Sequence, residues 1–405
     1  MRVLQINKYF YPRGGSEKIF FDTIDGLRAR GQAVAEFSMQ DSRNRPSQYA
    51  KYFASPVPEF GSGLSWLHQA KIFKRLFYSS EIAHKLSRLT KDFRPEVAHL
   101  HNVYHQLSAS TFTALRRLRV PMVMTLHDVF PLCPNHNLFY GERPREDLFK
   151  NKLYNCVRYL CVANKFLPSL AGTLEAYYYR YQKIWDSIER FICPSEFMKN
   201  KMAEYGFPDK KMRVIKNPFA LVGNPPPLGE KIVFLGRLHY EKGIRIFMEA
   251  VRDLRDYPVV IAGSGPEEHW VNEFIKKNKL SNVECRGWVA GNGWDEIIES
   301  ARVVVVPSVA LENCSGAILE ALSYGRLVVA TNRGGNPELI QDGITGFLAR
   351  PEDPGDLAHA IKRALTLSPA VAEKLAAAGR TLLARQHDHN GYFTQLAELY
   401  QEVAG

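Results

Sequence analysis

Phe234–Ile246 reads FLGRLHYEKGIRI: an apolar run that ends on a glycine, turns through Arg237 and opens an amphipathic segment. The same order, strand then glycine-bearing loop then helix, stands at the start of the chain in Ile6–Lys18, INKYFYPRGGSEK. Outward from these two points, short apolar runs alternate with longer helical patterns. Val3–Ile6, Val34–Phe37, Val97–Leu100 and Met122–Leu126 read as strands in the first half, with a helical pattern over Glu17–Arg30. Ile232–Leu235, Val259–Ala262, Val303–Val306 and Leu327–Ala330 read as strands in the second. Such alternation predicts an α/β fold of parallel sheets covered by helices. Strands apolar on both faces, as in Val303–Val306, suit the buried centre of such a sheet.

The chain has 405 residues, more than one ordinary core accommodates, so two domains are expected. Lys216–Gly229, KNPFALVGNPPPLG, is the linker, because its prolines stop helix and central strand alike. The resulting division is 1–215, a linker 216–229, 230–388, and a C-terminal helix 389–405 with the option of packing back across the first domain. Two doubly wound, Rossmann-like domains joined in this way face each other across a cleft lined by the carboxyl ends of their strands, the edge where such sheets bind ligands. No run of about 18 apolar residues is present, and MRVLQINKYF lacks the apolar core of a signal peptide. The six cysteines, at 133, 156, 161, 193, 285 and 314, are scattered and read as reduced thiols of a cytoplasmic protein.

Net charge is +11, from 53 basic and 42 acidic residues, which favours an anionic partner. Nucleic acid is excluded as that partner by the lack of a recognition helix, zinc-finger spacing or aromatic RNA-binding motif. An anionic small molecule and an anionic membrane surface fit better. Trp66–Arg94 carries seven basic and two acidic residues, with apolar positions at helical spacing from Ile72 to Leu89. It reads either as a helix lying on a bilayer or as an ordinary helix covering the sheet. Tyr177–Trp185, YYYRYQKIW, is a second aromatic-basic cluster.

Chemistry concentrates at strand ends. In Leu311–Leu322, LENCSGAILEAL, Glu312 and Glu320 flank Ser315 and Gly316, where a helix can begin. A helix N-terminus attracts phosphate, whereas the two acids suit hydroxyl groups of a sugar and a ribose. Gly236, Arg237 and Lys242 follow Ile232–Leu235; a planar guanidinium and a mobile ammonium together neutralise a diphosphate. No DxD triplet is present to hold a metal, so the site is read as metal-free. Gly14 and Gly15 let backbone approach phosphate, or form a plain tight turn. Gly265, after Val259–Ala262, and Val289, after Arg286–Gly287–Trp288, read as walls of a nucleotide pocket or as ordinary turns. His127 and Asp128 end Met122–Leu126, where a histidine can bond a sugar hydroxyl and a carboxylate can take a proton. His101 ends Val97–Leu100 in the same way. Cys133, Cys156 and Cys161 with His136 lack a paired C-x2-C knuckle, so packed thiols are favoured over zinc.

E-x7-E (Glu312, Glu320), GR-x4-K (Gly236, Arg237, Lys242), the N-terminal Gly14–Gly15 with Glu17, and His127 together resemble glycosyltransferase family 4, retaining enzymes of the GT-B fold. Thr125–Pro134, TLHDVFPLCP, is similar to members that build cell-surface polysaccharides. The resemblance implies an N-terminal acceptor-binding domain and a C-terminal donor-binding domain. It implies a nucleotide-diphosphate sugar as donor, UDP favoured over GDP, and no further cofactor. A glycan or polyprenyl-diphosphate-linked acceptor follows, with the enzyme cytoplasmic and peripheral on the inner membrane face. Catalytic roles fall to His127, Arg237, Lys242 and Glu312. Donor contacts fall to Gly14, Gly15, Gly236, Gly265, Val289, Asn313, Cys314, Ser315, Gly316 and Glu320, and acceptor contacts to Asp128 and His101. Asn313–Cys314–Ser315 departs from the Gly or Pro many members carry there. A sugar-nucleotide epimerase of the same architecture and a non-catalytic sugar-nucleotide scaffold are the rival readings.

Overall fold

A computed structural model describes residues 1–57, 66–146, 150, 152–289 and 291–405, with the side chains of 66–71 and 292 outside the description. The chain divides into two compact units: Met1–Leu138 with Arg145–Pro218 and Asn390–Gly405, and Phe139–Pro144 with Phe219–His389.

In the first unit β1 (Arg2–Ile6), β2 (Ala33–Phe37), β3 (Val97–Leu100) and β4 (Met122–Thr125) occupy the runs expected from sequence. A two-stranded hairpin, β5 (Phe139–Tyr140) and β6 (Arg143–Pro144), groups with the second unit. Two further strands, β7 (Arg190–Cys193) and β8 (Met212–Val214), complete a parallel sheet ordered β2-β1-β3-β4-β7-β8. One face is packed by the helix Gly15–Ala29 and by the last helix, His389–Ala404. Tyr392, Phe393, Leu396, Leu399 and Tyr400 form a helical stripe that enters this core. Gly26 marks the contact, since a Cβ there would collide with the Phe393 ring.

The second unit holds β9 (Lys231–Leu235), β10 (Val259–Ala262), β11 (Val283–Gly287), β12 (Ala301–Val306), β13 (Leu327–Thr331) and β14 (Phe347–Ala349). Its parallel sheet is ordered β11-β10-β9-β12-β13-β14, the doubly wound order of a dinucleotide-binding domain. Alternate residues feed two cores: Val303 and Val305 one face, Val304 and Val306 the other. That is why these strands are apolar throughout.

Two sequence expectations are corrected. Cys156 and Cys161 are not free thiols but a disulfide, their Cα atoms 4.8 Å apart, within bonding reach. Those sulfurs are consumed, and burial raises the Cys133 thiol to about 12, so neither serves a zinc reading. The helix read over Trp66–Arg94 is two, Trp66–Phe77 and Ser80–Phe93. Ser79 caps the second by accepting from the Ile82 amide at 3.3 Å, which breaks the run. Ile72, Leu76, Ile82, Leu86 and Leu89 are buried, so that apolar stripe faces the protein interior. The Trp66 side chain lies outside the described residues. Among the described residues no helix is long and apolar enough to cross a membrane.

Candidate functional site

In the second sheet the strand order reverses between β9 and β12, which are neighbours. Ligands of doubly wound sheets bind at the carboxyl edge of such a switch point. The loop after β9 carries Gly236, Arg237 and Lys242, and the loop after β12 carries Glu312. The two loops meet: Lys242 Nζ donates to Glu312 Oε1 at 2.6 Å, and Ser308 Oγ donates to the same oxygen at 2.6 Å. Burial pushes the Glu312 carboxyl up. The Lys242 charge and hydrogen bond, the Ser308 hydroxyl and the more distant Arg237 outweigh it, and the net shift is downward. Glu312 is therefore an anion at neutral pH, able to accept hydrogen bonds and unsuited to donating a proton. Arg237 is exposed and Lys242 is part-buried.

Past Glu312, Asn313 and Cys314 are half-buried, and Ser315 precedes the helix Gly316–Ser323 without a side-chain cap. The amide end of this helix is thus left without a serine oxygen. Glu320 lies one turn in, where its Oε2 accepts from Trp294 Nε1 at 3.1 Å. Gly236 takes a φ of +147° that glycine favours, and neither it nor Gly316 has protein atoms within 4 Å of where a Cβ would sit. Gly265 differs: the Leu238 carbonyl occupies its Cβ position, so packing alone accounts for the glycine. Val289 packs at the edge of the core beneath the helix Asn292–Glu299.

Sequence reasoning missed the support behind Glu312. Gly334 and Gly335, in the loop after β13, press on the backbone of Glu312 and Asn313, and the Gly335 amide donates to the Glu312 carbonyl at 2.6 Å. A second layer locks the strand ends together: Thr331 Oγ1 donates to the Ser308 carbonyl at 2.7 Å. Trp294 was also unforeseen. A Gly-Gly pair and a lone Trp carry no signal of their own without the fold that brings them here.

The first unit holds the remaining candidates. Gly14 caps and Gly15 begins the helix after β1, both exposed. His127 Nε2 lies 2.8 Å from His101 Nδ1, the two rings stacked at 5.1 Å. His101, expected at an acceptor, is fully buried and instead holds His127, with its own Nε2 3.1 Å from Gln5 Oε1. The carboxamide oxygen only accepts, so His101 carries its proton on Nε2, His127 donates from Nε2, and His127 Nδ1 is left as an acceptor. Burial pushes His127 down to about 4, so it is neutral at ordinary pH. Asp128 is held by the Tyr104 hydroxyl and by the Phe130 amide at 3.0 Å, with His136 at 3.6 Å. Burial raises its carboxyl, but these donors bring the net shift downward. That geometry makes it a loop clamp rather than a proton acceptor. Among the described residues no three His, Cys, Asp or Glu side chains gather as a metal set.

A family model described as Glycosyltransferase Family 4 matches residues 13–221, and one described as Glycosyl transferases group 1 matches residues 229–367. Alpha-D-kanosaminyltransferase of Streptomyces kanamyceticus is 30% identical over 177 residues, 42% of this chain and 45% of its own. A putative colanic acid biosynthesis glycosyltransferase of Salmonella typhimurium is 24% identical over 246 residues, 57% of this chain and 61% of its own. The chain spans about half the length of the curated relatives it matches. A crystal structure of Anabaena HepE in complex with UDP and glucose superposes with a TM-score of 0.71 at 18% identity, covering 99% of this chain and 100% of that one. At that identity the likeness is one of fold, two Rossmann-like domains of the GT-B class.

Proposed function

Because the chain belongs to glycosyltransferase family 4, we propose that it moves a sugar from a nucleotide-diphosphate sugar to a hydroxyl of a glycan or lipid-linked glycan acceptor. The transfer retains configuration and serves cell-surface polysaccharide synthesis. The observation that carries this reading is the Lys242–Glu312 pair at the switch point of the second sheet. A buried ion pair is weak evidence of stabilisation in itself; here it aims a cation at the edge where a ligand would sit.

In this reading Arg237, Lys242 and the uncapped helix at Gly316 hold the donor diphosphate and take up the charge that grows as the C1–O bond breaks. Glu312 holds Lys242 and contacts the sugar, and Glu320 binds the ribose hydroxyls. His127 Nδ1 accepts from a hydroxyl. The acceptor oxygen attacks from the leaving-group side and its proton passes to the departing phosphate, so no carboxylate nucleophile is needed, unlike retaining glycosidases. UDP is the favoured nucleotide because the structural neighbour HepE was solved with it; the polysaccharide role draws on the colanic acid relative. A screen of UDP- and GDP-sugars in the presence of EDTA tests the proposal. Slow release of free UDP from one donor, with the sugar's anomeric configuration retained in the product, is expected. Isomerised sugar would favour an epimerase, and no turnover with any donor a scaffold.

The membrane partner rests on the helix Phe166–Tyr181. Leu167 is 61% and Tyr181 83% exposed, alongside exposed Phe166, Leu174 and Tyr177. Lys165, Arg180 and Lys183 are exposed beside them, a charge that suits anionic lipid. Leu167→Ser with Tyr181→Ser should lower co-sedimentation with phosphatidylserine-containing vesicles about tenfold; pelleting equal to the unsubstituted protein would remove this helix from the membrane.

A further inference from the structure

The edges of the two sheets are finished differently. β2 and β14 bury most of their side chains, and β8 buries Met212. β11 buries none: Val283 and Gly287 are half-buried, and Glu284, Cys285 and Arg286 are exposed. It pairs with β10 on one side only, and a strand bonded on one side turns a row of N–H and C=O groups outward. Just beyond it Trp288 stands 73% exposed. Tryptophan is enriched where two proteins meet, whereas a solvated edge gains nothing from it.

Charged side chains ordinarily blunt such an edge, because a second copy would bring like charges together. The charges of β11 do the reverse. Val283–Gly287 reads VECRG, with Glu284 and Arg286 on either side of Cys285. Both point to one face, since Arg286 Nε lies 2.6 Å from Glu284 Oε1. The ladder to β10 skips Arg286, which is the extra residue of an irregularity beside Ile261 and Ala262. Two copies related by a two-fold axis pair such edges antiparallel. Centred on Cys285, that pairing sets Glu284 opposite the partner's Arg286, and Arg286 opposite the partner's Glu284. Each carboxylate then has one guanidinium on its own strand and another across the ladder. A slip of two residues, the smallest that keeps the same faces together, sets Glu284 against the partner's Glu284 or Arg286 against the partner's Arg286. The strand therefore favours one register and penalises its neighbours.

We propose that β11 is a dimerisation edge: two copies of this chain join through it, antiparallel and centred on Cys285, so that their six-stranded sheets run on as one. Trp288 follows each end of the shared ladder, in register with the partner's Asn282, and adds apolar contact where the charges stop. With a five-residue ladder and two charge pairs across it, the association is weak and sensitive to salt. The inference draws nothing from the transferase reading and is tested apart from it.

Sedimentation of the full chain across a wide range of protein concentration reads the association directly. The unsubstituted protein should pass from monomer to dimer, and added salt should move that transition to higher concentration. Glu284→Arg places like charges opposite at both contacts and should weaken the dimer at least about tenfold, as should Arg286→Glu. The double variant, Glu284→Arg with Arg286→Glu, exchanges the charges and keeps their symmetry. It should return the affinity to within about threefold of the original. An equimolar mixture of the two single variants should dimerise where neither does alone. Both side chains are half-exposed, so thermal midpoints should not move, which separates lost association from misfolding. A short bismaleimide should link two copies through Cys285, and Cys285→Ser should abolish the link. A monomer at every concentration, a dimer indifferent to the single charge reversals, a double variant that stays monomeric, or no link that depends on Cys285 overturns the proposal.

Discussion

Arg237→Ala is expected to lower sugar transfer by about 10²–10³-fold, the range seen when one preorganised donor to a developing oxyanion is removed. The thermal midpoint should hardly move, because Arg237 is exposed and its side chain fills no core. Lys242→Ala should match or exceed that loss and add instability. Its ammonium bonds Glu312 at 2.6 Å, and the Glu312 side chain is only 13% exposed. Removing it leaves a shielded carboxylate with the Ser308 hydroxyl as its remaining side-chain donor, a cost of about 1–3 kcal/mol. Glu312→Gln separates the two effects. It retains shape and an oxygen for Ser308 while discarding the charge that aims Lys242. Its stability should stay close to that of the unsubstituted protein while transfer falls. Steady-state kinetics with the donor found in the nucleotide-sugar screen, read beside thermal melts, decides the matter. Transfer undiminished in Arg237→Ala would reject the diphosphate role.

The pattern of that site was legible because two of its parts are local. Gly236, Arg237 and Lys242 sit within one strand-to-helix loop, and Glu312 and Glu320 within one loop and the helix after it. What joined them was the alternation of apolar runs, which implied that β9 and β12 belong to one parallel sheet. Elements without an apolar run escaped notice. β11 reads VECRG, is largely exposed and lies at the sheet edge; β8 and β14 have three residues each. Such strands are set by their neighbours rather than by their own pattern. The break at Ser79 was missed because helical spacing continues across it, and only a capped amide reveals the stop. The disulfide was missed because a spacing of five residues says nothing about whether two Cβ vectors converge. His101 was misplaced for a related reason: the end of a strand is open to ligand only where no other side chain covers it, and His127 and Phe20 cover this one.

Acid should unfold the first unit sooner than its carboxylates alone would dictate, and the cause is a buried set of neutral histidines. His99 and His101 are fully buried. His99 Nε2 lies 2.7 Å from Thr125 Oγ1 and its Nδ1 2.6 Å from the Tyr400 hydroxyl, so the last helix is tied to the sheet through this ring. Burial pushes His99 down to about 3 and His127 to about 4, and it pushes His101 well below the ordinary value. A group whose folded pKa lies below its unfolded one binds fewer protons when folded, so stability rises with pH there. The contribution of these rings is full above the ordinary histidine value of 6.5 and falls as pH drops toward 4. Each histidine removes up to about 1.4 kcal/mol per pH unit, and total stability is only about 5–15 kcal/mol. Loss of the first unit is therefore expected near pH 4–5, on the order of two units below the ordinary histidine value. Asp128, whose net shift is downward, adds its own loss only at lower pH. Burial raises Glu36, which works in the opposite direction. Thermal melts between pH 7 and pH 4.5 measure the slope, and His127→Gln should make it shallower by one histidine's share. A midpoint that stays flat over this range would show that burial does not depress the pKa values of these rings in the folded protein, and a slope unchanged in the variant would show the same of His127 alone.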